Sequence, residues 1–453
     1  MASEQKSAAP RTERGIVEQK GADVISKEEQ QTGLRQLFFV WVGFSITIAN
    51  FMLASFQVTP AGLSKAIIGM IIGWGFAAFF MAAGGVIGQR EGILGTLAMR
   101  VPFGINGKYL TAIPMVVACG GWFGMIVGIS SSAINEILIV TYNIHIPIQI
   151  IYIVWALLMG IIAVYGYTVV VWFQNLTTPI TLVLMFWVTY KLLRLPGLSA
   201  LWNSPSGEGL TLMQVINIMP AAAPAMMMAT ADTSRYAKSV GIAKWTVFWT
   251  VLILASATGI LAVATSLVSG EGDPAKIFIK LNLGVVSLLF LILASWTMNC
   301  LNAYWGGLAL AGVTTGLTKS GKGLSRPLAT GIIVLLGAFL AVSGLYTSTG
   351  ITAFLIFLGA TLAPANGILF TDYFIIRRKL EHRIITEDLD KKNGAYWYSK
   401  GWHVPALIAW LISAGYASLL GDVTKLAPAV TSFFMAGILY YILYKLFNRS
   451  NKE

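Results

Sequence analysis

The sequence is poor in charge. Only 11% of its 453 residues are Asp, Glu, Lys or Arg, while 56% are hydrophobic. A soluble chain of this size carries roughly twice that charged fraction, so an ordinary soluble domain is excluded. Acid is absent from the places where it would matter most. No Asp or Glu lies near the middle of any long apolar run; Glu136 sits near one end of a run, and Asp232 and Asp372 sit at the ends of two others. The three histidines, His145, His382 and His403, fall in loops or at run ends. A proton relay needs titratable groups at depth, and none is in position. The two cysteines, Cys119 and Cys300, both lie inside apolar runs. They provide neither a disulfide framework nor a metal site, and read as small packing residues. The N-terminus lacks the pattern of a cleavable signal peptide. Short segments of alternating polarity, the mark of an outer-membrane barrel, are also missing.

What is present is a series of apolar runs of about 20 residues, the length that crosses a bilayer as a helix. Twelve spans are expected, at 36–58, 66–88, 109–133, 149–166, 169–193, 211–230, 242–268, 283–310, 327–343, 350–372, 404–421 and 428–447. The fold class is therefore an all-α polytopic membrane protein. Residues 1–35 are polar and charge-mixed, the composition of a poorly ordered tail. The net charge of +12 does not point to nucleic acid, because its distribution is lopsided. About six of the 31 Lys and Arg, namely Lys65, Lys191, Arg194, Lys276, Lys280 and Lys425, fall in alternate loops assigned to the outside. The positive-inside rule then places both termini in the cytoplasm of a cell membrane, with a basic inner rim suited to anionic lipid headgroups.

One stretch of the third span reads CGGWFGMIVG, Cys119 to Gly128. Gly120, Gly124 and Gly128 share one helix face and would let a neighbouring helix come close. Trp122 lies about 200° round from Gly120 and points the other way. It either packs against another helix or offers a flat face at mid-depth on which a planar ligand stacks. The eighth span, LASWTMNCLNAYWGG, carries Ser295, Asn299 and Asn302 at i, i+4 and i+7, a polar stripe, while Thr297 faces elsewhere. Buried amides are costly unless satisfied. Two on one face point to a wet cavity or a ligand site. The sixth span, NIMPAAAPAMMMATADTSRY, holds Pro220 and Pro224, which free backbone groups at mid-membrane. The first span, WVGFSITIANFM, is weakened by Gly43, Ser45, Thr47 and Asn50. Interruptions in the leading spans of two five-span halves are the pattern of a transporter with inverted repeats. Neutral oxygens on broken helices suit sodium better than protons, and the lack of charge at depth suits a neutral substrate.

Several motifs resemble the nucleobase–cation symporter family, which includes cytosine permeases and hydantoin transporters. They are RVPFGINGK (Arg100–Lys108), GWFG (Gly121–Gly124), TADTSRY (Thr230–Tyr236), WTMN (Trp296–Asn299), APANGILFTDYFIIRR (Ala363–Arg378) and YWYSKGW (Tyr396–Trp402). The resemblance implies a ten-helix transport core over 36–372 in two inverted five-helix repeats, with discontinuous helices 1 and 6. A loop over 373–403, two added helices over 404–447 and a tail over 448–453 follow; loop and tail are cytoplasmic. It puts the stacking tryptophan at Trp122 and a substrate asparagine at Asn299. It assigns a sodium site to the carbonyls of Gly43, Ile46 and Ala294 and the Thr297 hydroxyl. Met298 replaces a second hydroxyl of that site, and a thioether is a poor sodium ligand. A water or Asn302 then substitutes, the site has fewer ligands, or coupling changes. A second substrate-stacking aromatic of the family falls near Ala223, and Ile126 replaces a polar residue. Asp232, Arg235, Asp372 and Arg377 read as an intracellular gate or as ordinary interface charge.

The expected function is import of a small, neutral, planar nucleobase or related heterocycle with sodium. Trp122 stacks the ring beside Ile126. Asn299 and Asn302 meet its edge, and freed backbone around Ala222, Ala223 and Ala225 completes the site. No cofactor and no catalytic pair at depth are expected. The rivals are an amino-acid or amine transporter of the same fold, and proton-coupled or uncoupled uptake of a thiamine-precursor pyrimidine. No oligomeric state is implied, and a monomer is compatible.

Overall fold

In hydrocarbon each backbone N–H and C=O must find a partner inside the protein, and a helix satisfies them locally. The computed structural model describes residues 23–194, 201, 210–283, 285–315, 323–344, 346–380, 383–419 and 428–450. His382 and Lys425 lie outside the described residues. Long helices are α3 (Leu63–Glu91), α4 (Lys108–Tyr142), α5 (Ile148–Tyr165) and α6 (Tyr167–Leu193), then α9 (Val240–Ser269, through a π turn at Val251–Ala255), α10 (Val285–Thr314) and α12 (Ser348–Thr371). The first span is split into α1 (Leu34–Ser45) and α2 (Ile48–Leu53), the sixth into α7 (Leu212–Ala222) and α8 (Pro224–Ser234). The remaining crossings are α11 (Arg326–Val342), α13 (Val404–Leu419) and α14 (Pro428–Ser450). Among the described residues, nine helices are long and apolar enough to span a membrane, the bent α7–α8 pair makes a tenth, and α11 and α13 are shorter apolar helices. Together they account for the twelve expected crossings. The largest boundary change is in α4, which runs on to Tyr142 where the expected third span stops at 133.

Both breaks have local causes. Thr47 is extended (φ −83°, ψ 150°), and its hydroxyl accepts from the Ala49 N–H to cap α2. The helical ladder of α1 thus stops at the bond from Ile46 N–H to Val42 O, releasing the carbonyls that follow. In the sixth span Pro220 and Pro224 each remove a donor, and the chain bends by 40° at Ala223. Ile216 O loses its helical donor to Pro220. It faces Gly73, where an added methyl would come within 2.7 Å of it.

Close approaches at glycine sort the helices into two bodies. On α3, methyl groups built on Gly69, Gly84 and Gly88 would collide with Val215, Met227 O and Ala231 O of the sixth span. Ser45 and Asn50 donate to Thr250 O and Ala255 O, joining the first span to α9. In the second body, Gly120 and Gly124 of α4 lie against Leu336 and Gly337 O of α11, and Gly306 of α10 lies against Cys119 of α4. The glycine stripe of the third span therefore does hold a neighbour close.

The reading of the whole N-terminal segment as a disordered tail is corrected for residues 23–33, which fold against the bundle. Ile25 N–H donates to Gly92 O at 2.8 Å, and Lys27 Nζ donates to Gln89 O and Arg90 O at 3.1 Å. Thr32 pairs with the strand-like turn at Tyr236 and Lys238. The last carbonyls of α3 need donors once the helix ends, and this segment supplies them.

Candidate functional site

Between the two breaks lies a cavity of about 40 Å³. The first body contributes Phe44, Thr47 and Asn50 around the first break, Trp74 from α3, and Ala222, Ala223 and Met226 around the second. The second body contributes Trp122 and Ile126 from α4 and Met298 and Asn302 from α10. No charged side chain lines it. A larger groove of about 1060 Å³ opens on the flank of the bundle and lies away from both breaks.

Four lining side chains carry a buried polar atom without a protein partner: the indole N–H of Trp74 and of Trp122, and the Oδ1 of Asn50 and of Asn302. The amide orientations follow from their other bonds. Asn50 Nδ2 donates to Ala255 O at 2.7 Å, which leaves Oδ1 open. Asn299 Nδ2 donates to Phe123 O at 3.1 Å, so Asn302 Nδ2 must donate to Asn299 Oδ1, at 3.2 Å. Asn302 Oδ1 is then the open acceptor. The arrangement offers two donors and two acceptors around one small hollow.

The expected site residues divide. Trp122, Ile126, Ala222, Ala223 and Asn302 line the cavity. Asn299 and Ala225 do not; Asn299 is fully buried and spends its amide on α4 and on Asn302. Its place is behind the lining because its position on α10 turns it toward Phe123. The family position near Ala223 leaves no aromatic there, but Trp74 and Phe44, 6.1 Å apart and edge to face, fill that side of the lining. Sequence reasoning missed Trp74, although it carries the same signal as Trp122, a mid-span Trp between glycines.

Around the first break, Gly43 lies against Thr297, and Thr297 Oγ1 is 3.1 Å from Ala294 O. Gly43 of α1 and Thr297 of α10 thus meet at the contact of the two helices, with Ala294 one turn before Thr297 and Ile46 at the end of α1. Of the expected gate, Asp372 and Arg377 form an ion pair at 2.7 Å, and Tyr440 donates to Asp372 at 2.7 Å. The guanidinium of Arg377 is held strongly charged by the neighbouring Asp372 carboxylate against the cost of its burial. Asp232 instead accepts from Gly95 N–H at 2.8 Å, while Arg235 reaches Asp23 O and the Tyr236 hydroxyl. Neither acid touches the cavity.

The family described as permeases for cytosine/purines, uracil, thiamine and allantoin matches residues 24–444. The chain belongs to this family. The permease is 24% identical over 442 residues to a hydantoin permease of Microbacterium maritypicum, covering 92% of this chain and 85% of that one. It is 23% identical over 390 residues to the cytosine permease of Escherichia coli K12, covering 86% and 87%. In structure it resembles Mhp1, a nucleobase-cation-symport-1 family transporter, closed with bromovinylhydantoin bound. The TM-score is 0.79 at 20% identity, over 96% of this chain and 97% of that one. A Na+-coupled sialic acid symporter matches at TM-score 0.64 and 12% identity, over 93% and 91%. The permease is therefore a multi-pass membrane transporter with an inverted-repeat fold, and not an enzyme.

Proposed function

We propose that the permease imports a neutral planar heterocycle with adjacent ring N–H and C=O groups, a keto-type base or hydantoin, together with Na+ across the cell membrane, with both termini cytoplasmic. The observation that carries this reading is the set of four unpaired polar atoms on the cavity lining. Two amide oxygens accept ring N–H groups, and two indole N–H groups donate to ring carbonyls. An amino-substituted base edge would present donors where the indoles already donate. A zwitterion would place two charges among uncharged side chains, at a desolvation cost of several kcal/mol per ion. Trp122, with Ile126 beside it, supplies a stacking face and Trp74 or Phe44 the opposite one. Ala222 and Ala223 at the bend keep that side small, with Ala225 behind them, and Asn299 positions Asn302. The cavity as it stands is smaller than a base, so Met226 and Met298 must move, which their flexible thioether chains allow.

The carbonyls of Gly43, Ile46 and Ala294 and the Thr297 hydroxyl are the proposed core of the cation site. The opening and closing of the terminal end is proposed to involve Asp232, Arg235, Asp372 and Arg377. Ligand and cation couple because both favour the closed arrangement.

Thermal melting of the purified permease tests this reading. Hydantoin, uracil or hypoxanthine should raise the melting temperature in NaCl more than cytosine, adenine or free amino acids do, and more than in choline chloride. Trp122→Ala should remove the ligand-induced shift, read against that variant's own ligand-free melt, which falls because the buried indole also packs on Phe354. Stabilisation by amino acids alone would overturn the heterocycle reading, and equal shifts in both salts would remove sodium from it.

A further inference from the structure

Beside the first break, α6 presents two side chains that do not line the substrate cavity and whose chemistry nothing so far has used. Gln174 and Thr178 stand one helical turn apart, and both are fully buried. Thr178 Oγ1 and Gln174 Oε1 have no protein partner. Other hydroxyls on this helix are satisfied by its own backbone: Thr177 donates to Phe173 O and Thr181 to Thr177 O. Leaving a buried polar atom unpaired costs about 1–3 kcal/mol, so two neighbouring ones call for a ligand.

Their location says which. A methyl group built on Gly43 would lie 3.1 Å from Thr178 Oγ1, 3.6 Å from Thr297 Cβ and 3.8 Å from Gln174 Nε2. Gln174 Nε2 donates to Thr297 O at 2.9 Å, which fixes the amide and leaves Oε1 as the free acceptor. The two orphan oxygens therefore sit where α1, α6 and α10 meet. That is also where the ladder of α1 ends, while Met298, the residue after Thr297, lines the substrate cavity and offers no hydroxyl. Among the described residues no group of three or more Asp, Glu, His or Cys forms a metal cluster. A site made only of neutral oxygens suits a hard monovalent cation and not a divalent one, which draws on carboxylates.

We infer that Thr178 Oγ1 and Gln174 Oε1 of α6 complete the Na+ site, supplying the oxygen ligands that Met298 does not, so that the cation joins three helices. This rests on the Na+ coupling proposed above, and it adds α6 to the elements the cation holds together.

The test is Na+ titration of the ligand-induced melting shift, with choline keeping ionic strength constant. Thr178→Val removes an unpaired hydroxyl, so the melt in choline should be unchanged or higher. The Na+ concentration for half the effect should rise by about tenfold or more, the size expected for one lost ligand. Substrate affinity at saturating Na+ should stay as in the wild type. Thr178→Ser, which keeps the hydroxyl, should titrate like the wild type. If Thr178→Val keeps the wild-type Na+ midpoint, the orphan oxygens serve a water and this inference falls alone. If the wild type itself shows no Na+ dependence, the coupling and this inference fall together.

Discussion

Two asparagines three residues apart on α10 have different work. Asn302 keeps an open oxygen at the cavity, while Asn299 has its amide nitrogen on Phe123 O. Asn302→Ala should weaken binding of a keto-type ligand by roughly 5- to 150-fold, since one lost partner costs about 1–3 kcal/mol. Asn299→Ala should mainly lower the melting temperature of the ligand-free protein, because it removes the interhelical donor to Phe123 O and leaves Asn302 Nδ2 buried without its acceptor. Calorimetric titration for the first and thermal melts for both would separate these outcomes; equal effects on binding and stability in both variants would contradict the division. The sequence shows the stripe but not this difference. A helical wheel reports which residues share a face, and the face of α10 is divided between a neighbour and a void by packing that no single helix encodes. Trp122 is legible because the glycines at 120, 124 and 128 define the opposite side. Thr178 and Gln174 are not, because on α6 they look like one more pair of small polar residues in an apolar run.

At the scale of elements, the fit of α3 to the broken sixth span is set by bare backbone. A Cβ on Gly88 would lie 2.3 Å from Ala231 O, whereas nothing lies within 4 Å of one on Gly331 in α11. Gly88→Ala should therefore lower the melting temperature by several degrees, an overpacking cost of about 1–3 kcal/mol. Gly331→Ala should be neutral or slightly stabilising, since alanine is the better helix former by up to about 1 kcal/mol. Parallel melts of the two variants check this, and a tolerated Gly88→Ala would show that the helices slide apart at no cost. Element count, order and the two breaks are readable from run length and from proline and polar placement, because the bilayer forces each apolar run into a helix. Two features are not readable. The extension of α4 to Tyr142 carries the helix past the polar Asn135 and Glu136, where the apolar run breaks, and the docking of residues 23–33 depends on carbonyls that exist only once α3 has ended.

At the scale of the molecule, the segment after α12 folds back onto the turn that precedes α4. Tyr398 donates to Val101 O and Arg377 to the Tyr398 hydroxyl. His403 stacks on Tyr398 at 4.1 Å with its Nδ1 2.7 Å from Pro102 O. Tyr440 and Tyr444 meet the other sides of its ring. Burial lowers the pKa of His403, outweighing the Pro102 carbonyl and Asp372, which raise it; Arg377 lowers it further. The unfolded chain therefore takes up this proton first as pH falls. Stability should be full above about pH 6.5, the ordinary histidine value, and should decline below it by no more than about 1.4 kcal/mol per pH unit from this group. Melts between pH 8 and 5 should show that decline, and His403→Gln should flatten it; an unchanged slope in the variant would assign the effect to another group.

The cavity draws its wall from both bodies, Asn50 and Trp74 from one and Trp122 and Asn302 from the other. The contact of Gly43 with Thr297 of α10 crosses the same seam. A rigid ring that satisfies all four cavity atoms acts as a gauge: only one separation of the bodies lets every bond form at once. A cargo molecule of the wrong width could still enter and yet never be carried, so discrimination would appear in turnover as well as in affinity.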